Sequence, residues 1–142
     1  MRLLLILTLS IFAAIGANSQ EKQSGKNGIA SFYHDKFEGR KTANGDVFDN
    51  DKFTAASNKL KLGSYVKVTN LSNNEVVYVR INDRMAKTNN RLIDLASIAA
   101  KKLDFEKKGI AKVKVEVVPE EEGQVGILAQ REMQEASATN KL

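Results

Sequence analysis

Two alternating runs constrain this chain more than anything else in it. Residues 64–70, SYVKVTN, and residues 76–82, VVYVRIN, each place apolar side chains at every second position, and the intervening LSNNE carries Ser72, Asn73 and Asn74. A period of two gives a strand one apolar and one polar face. The short polar link makes the two runs a hairpin. In the second run Val77, Val79 and Ile81 form the apolar row, and the same phase carried two residues further puts Asp83 at its end. A carboxylate there is costly to desolvate as an anion, which raises its pKa and suits it to general acid catalysis. The position equally suits a turn residue that caps its own backbone or pairs with Arg84.

The remaining segments are short and follow the same logic. GIASFY (28–33), FTAAS (53–57), LIDL (92–95) and IAKVKVEVV (110–118) have strand composition, and in the last of these Val113, Val115 and Val117 alternate with Lys112, Lys114 and Glu116. From Ser97 to Leu103 an Ala-rich segment with Lys at its end reads as one short helix. The stretch 34–51, HDKFEGRKTANGDVFDND, holds three successive turn signals and interleaves Phe37 and Phe48 with Arg40, Lys41, Asn44, Asp46 and Asp49. A loop of that length in a small domain is a candidate groove lining. Five or six short strands and one short helix indicate a compact, mostly-β barrel.

The ends set the expected address and boundaries. Residues 1–19 have one Arg, a short apolar run and a small-residue exit, the pattern of a cleaved secretory signal peptide. Residues 20–27 are expected to be a flexible arm, 28–118 the barrel, and 119–142 an acidic, disordered tail with too few apolar positions to fix a helix face. No Cys follows the apolar run, so a periplasmic or secreted protein without a membrane anchor is expected. Without Cys no disulfide braces the fold, and with His34 as the single His neither a zinc site nor a serine triad finds its ligands. No metal or other cofactor is expected, and His34 reads as a loop residue. The net charge is +5, and from 27 to 118 there are 17 Lys and Arg against 11 Asp and Glu. Lys at alternate strand positions reads as a solvated face rather than a nucleic-acid surface. A wall polymer is the expected partner, bound by a monomer.

GIASFY, GRKTANGD, FTAAS, LGSYVKVTNL, VRINDR and RLIDLASIAAKKL, in this order, resemble the RlpA family of bacterial lytic transglycosylases. The resemblance spans about 28–118 and implies a six-stranded double-psi β-barrel. It also implies cleavage of peptidoglycan glycan strands, with a preference for strands stripped of stem peptides. The family's acid after TANG, the acid three residues on, the His of its TAAH motif and the Asp of NDR fall on Asp46, Asp49, Ser57 and Asp83. The first acid is Glu in the family, and Ser57 in place of His cannot relay a proton near neutral pH. SWYG of the family is SFYH here, NDRGP is NDRMA, and the Ser that would cap the helix is Ala96.

Lytic transglycosylation needs little machinery. One carboxylic acid protonates the glycosidic oxygen, and the sugar's C6 hydroxyl closes a 1,6-anhydro ring as the same carboxylate takes its proton. Asp83 fits that part as catalytic acid and base, with Asp46 and Asp49 stabilising positive charge at the ring carbon and Ser57 binding a sugar hydroxyl. The alternative from the same residues is a non-catalytic glycan-binding module similar to the plant expansins. There Phe32, Tyr33, Phe37 and Phe48 stack on sugars, Asn44 lines the groove, and Arg40, Arg84 and Arg91 contact carboxylates.

Overall fold

The computed structural model describes residues 25–142. The expected signal peptide and residues 20–24 of the expected arm lie outside the described residues. Six strands follow in order: β1 (Lys26–Phe32), β2 (Thr54–Ala56), β3 (Tyr65–Asn70), β4 (Val76–Asp83), β5 (Ile93–Leu95) and β6 (Ala111–Val118). Helix α1 (Ser97–Lys102) lies between β5 and β6, and α2 (Glu120–Thr139) follows β6. The strands close into a barrel in the order β1-β5-β2-β4-β3-β6. The pairs β1–β5 and β2–β4 are parallel and the other four are antiparallel. Strand β1 begins at Lys26, opposite Val115, so Lys26 and Asn27 belong to the barrel rather than to an arm.

The alternation read from the sequence builds the core. Val66 and Val68 of β3, Val77, Val79 and Ile81 of β4 and Val113 and Val115 of β6 are buried, facing Ile93 and Leu95 of β5. Burying each such side chain contributes roughly 1.5–3 kcal/mol, so this shared row supplies most of the cohesion in a chain without disulfides. Helix α1 adds Ala99, Ala100 and Leu103 to the core, with Phe105 just beyond its end. Its first turn has no side-chain cap at Ala96. Asn50, far off in sequence, does the work: its Oδ1 accepts the Ser97 N–H at 2.8 Å and its carbonyl accepts the Ile98 N–H.

Residues 120–139 depart from expectation, because they form a helix docked on β3 and β4 instead of a disordered tail. The docking face has only a short apolar contact, Ile127 packed against the core. Beside it Gly123 and Gly126 lie against Tyr65 and Tyr78 so closely that an added Cβ would come within 2.3 Å and 2.5 Å of those side chains. One turn on, buried Gln130 accepts the Tyr78 N–H through Oε1 at 2.6 Å and donates Nε2–H to the Tyr78 carbonyl at 2.9 Å. The Arg80 N–H, two residues along the same edge, bonds Phe53 just ahead of β2. Gln130 therefore continues the ladder where β2 has no residue to offer.

Candidate active site

The long loop between β1 and β2 folds over the end of β4. Tyr33 leaves β1 and stacks on the buried Phe48 at 4.3 Å, with Phe37 edge-on at 5.7 Å. Backbone bonds between Gly39 and Phe48, Arg40 and Phe48, and Thr42 and Asp46 fold residues 39–48 into a narrow ribbon. Its tip is fixed by Asn44, whose Oδ1 accepts the Thr42 hydroxyl at 2.6 Å and the Asp46 N–H at 3.1 Å. The Asn44 N–H then bonds the Asn82 carbonyl, tying the ribbon to β4.

Asp83 sits at that junction, and not in the apolar row. Ala55 pairs with Ile81 but Ala56 pairs with Asp83, so β4 carries one extra residue opposite β2. Such a bulge re-aims the side chains that follow it. Asn82 becomes buried and Asp83 is left half-buried, its carboxylate turned to the loop. Oδ2 accepts the Tyr33 hydroxyl at 2.6 Å, and Oδ1 accepts the N–H groups of Ala43 at 2.9 Å and Arg84 at 2.8 Å. The Asp83 carbonyl accepts the Ser57 N–H. Burial, the bond to Asp83 and the nearby charges of Asp83 and Asp94 push the Tyr33 phenol well above its ordinary range, so it remains a neutral donor.

Asp46 and Asp49 line a cleft of about 490 Å³ beside this junction, together with Lys52, Thr54, Arg80 and Asn82. The Asn44 amide, at 3.0 Å, holds the Asp46 carboxyl below the usual carboxylate range, helped by Asn82 and by the charges of Arg80 and Lys52. Asp46 is thus a persistent anion. Asp49 accepts the Asp51 N–H through Oδ1.

Several residues read as ligand contacts are committed elsewhere. Ser57 is fully buried, and its hydroxyl donates to the Leu92 carbonyl at 2.8 Å and accepts the Lys59 N–H, so it faces inward and not into a groove. The Arg84 guanidinium donates to the carbonyls of Ser57 and Leu60, bracing the chain between β2 and β3; it pairs neither with Asp83 nor with a free surface. Arg91 is held bidentately by Asp94 at 2.8 and 3.0 Å. Phe32 packs edge-on against Phe105 at the core. Arg40 stays exposed over the Phe37 ring, and His34 caps a single 3-10 turn by accepting the Lys36 N–H. What the sequence reading missed is the Ala43 N–H, Asn82, Lys52 and Arg80. Of these only Asn82 carried a signal, as a polar residue directly before Asp83.

Comparison with known proteins bears on the barrel that carries this site. A family model described as lytic transglycolase matches residues 25–115. Among curated relatives, an endolytic peptidoglycan transglycosylase RlpA of Haemophilus influenzae is 48% identical over 102 residues, covering 72% of this chain and 36% of the relative. One of Pseudomonas aeruginosa is 52% identical over 89 residues, covering 63% of this chain and 26% of the relative. The matched region therefore spans only about a third of their length. Two solved structures share the fold at low identity. They are a Streptomyces papain inhibitor (TM-score 0.56, 21% identical, 70% of this chain and 98% of that one) and a Clavibacter michiganensis expansin (TM-score 0.54, 19% identical, 68% and 51%).

Proposed function

Because the chain belongs to the RlpA family of lytic transglycosylases, a family of double-psi β-barrels, we propose that it cleaves the glycan strands of peptidoglycan endolytically. The products carry 1,6-anhydro ends, and the action lies outside the cytoplasmic membrane after export directed by residues 1–19. Strands lacking stem peptides are the preferred substrate. The observation that carries this reading is the Asp83 carboxylate, aimed out of the barrel by the β4 bulge and oriented by Tyr33 and the Ala43 N–H.

In the protonated form Asp83 gives its proton to the glycosidic oxygen as the C1–O bond breaks. The C6 hydroxyl of the same sugar then bonds to C1, and the Asp83 carboxylate takes the hydroxyl proton. The acid is regenerated and no water is consumed. Positive charge that develops at C1 is met by Asp46, kept anionic by Asn44, and by Asp49 in the same cleft.

A second reading, glycan binding without turnover, is favoured by one feature. Ser57 stands where the family has His, and its hydroxyl is spent on the Leu92 carbonyl. Asp83→Asn separates the two. It keeps the shape of the side chain and removes the titrating proton. With stripped peptidoglycan as substrate, mass spectrometry should show anhydro ends falling by about 10²–10⁴ while melting temperature and glycan affinity change little. Unchanged product formation would falsify the catalytic role. A wild-type protein that makes no anhydro ends yet binds stripped glycan through Asp83 is the binding module.

A further inference from the structure

The cleft that holds Asp46 and Asp49 does not end at the barrel. A second hollow of about 430 Å³ adjoins it and shares Lys52, Thr54 and Arg80 with it. Its floor is Phe53 and Tyr65, and its far wall is α2, through Gln124, Leu128 and Arg131. Through those shared residues the two hollows form one trough, with Asp46 and Asp49 at one end, Arg131 at the other, Lys52 and Arg80 between them, and an apolar lining of Phe53, Ile127 and Leu128 in the second hollow.

The cations are available. Among the described residues, Lys52, Arg80 and Arg131 have no carboxylate within ion-pairing distance, whereas Arg84 and Arg91 are both engaged. Arg80 is half-buried, and its Nε–H is buried with no acceptor at all. That sealed Nε–H faces no ligand, but a guanidinium that lines a partly desolvated trough without a carboxylate partner suits a planar carboxylate, which its terminal amino groups can meet.

Muramic acid supplies such a group under one condition. Its lactyl carboxyl is tied up as a neutral amide while a stem peptide is attached, and becomes a free carboxylate when the peptide is removed. We propose that α2 extends the glycan trough with a carboxylate subsite, in which Arg80 and Arg131, flanked by Lys52, hold the free lactyl carboxylate of a stripped strand. The inference rests on the peptidoglycan reading above. It makes the helix after the barrel a specificity determinant and assigns the preference for stripped strands to charge.

The test uses the full chain and two ligands, stripped glycan and the same glycan with its lactyl carboxyls reduced to alcohols. Wild-type protein should bind the carboxylate form more tightly, and Arg131→Gln should reduce that preference by about three- to tenfold without altering affinity for the reduced form. Arg131→Lys should restore part of it, and Lys107→Gln, which removes an exposed charge in the turn after α1, should leave it intact. Equal affinity of wild type for the two glycans, or equal losses from Arg131→Gln and Lys107→Gln, overturns the subsite. Carboxylate-dependent binding by a wild type that yields no anhydro ends keeps the subsite and removes the transglycosylase reading, so the two fail separately. Circular dichroism of each variant confirms that exposed Arg131 can be replaced without unfolding.

Discussion

Tyr33 is where a single atom decides most. Tyr33→Phe keeps the stack on Phe48 and deletes the donor to Asp83, so the carboxylate loses one of its three fixing bonds. Formation of anhydro ends should fall by about tenfold or more with little change in glycan affinity, since misplacing a catalytic group acts on the chemical step. The same substitution has a signature in stability. Folding raises the Tyr33 pKa above the 10.0 of a free phenol, so the neutral hydroxyl stabilises the fold below that pH. The contribution drains away as pH climbs past 10 toward the higher folded value, because the unfolded chain has already released its proton. Denaturant unfolding between pH 9 and 11.5 should therefore decline more steeply for wild type than for Tyr33→Phe; parallel curves would mean the hydroxyl is not coupled to folding. Strand phase and the NDR motif both single out Asp83, but phase alone puts it at the end of the apolar row, where the structure does not. Its surroundings were not legible, because the phase argument assumes unbroken pairing and the bulge opposite Ala56 leaves no mark in composition. Ser57, Arg84 and Arg91 look like ligand contacts only until their backbone and carboxylate partners are known.

At the scale of elements, β3, β4 and β6 follow from period-two patterns that match their burial and α1 from an Ala-rich one, whereas β1, β2 and β5 follow from strand composition alone. Helix α2 leaves little trace in the sequence because its contact face combines one core-packing apolar residue, Ile127, with Gly123, Gly126 and Gln130, which no hydrophobic periodicity registers. Its removal tests the correction. Ending the chain after Pro119 uncovers Tyr65 and Tyr78 and strands the Tyr78 amide group, so the melting temperature should drop by at least about 5 °C. An unchanged melting temperature would mean the docked helix adds nothing to the fold. The loop carrying Asn50 is likewise structural. It caps α1 from outside and, through Asp35 and Tyr33, couples the helix to the site, which the Ala96 position alone had hidden.

For the molecule as a whole, closure of the barrel joins the ends of the domain, with β1 lying between β5 and β6. Contacts of such long sequence separation slow folding, so refolding should run in the millisecond-to-second range in stopped-flow fluorescence; a microsecond phase completing the reaction would contradict the closed topology. Closure also leaves few backbone groups unpaired, and within β4 the stretch around Tyr78 is a place where pairing depends on a side chain. An exposed strand edge is a template onto which another chain can add its own strand. By occupying the N–H and carbonyl of Tyr78, Gln130 removes that template, and a chain that lost α2, or exchanged Gln130 for a residue without an amide, would be inclined to self-associate edge to edge.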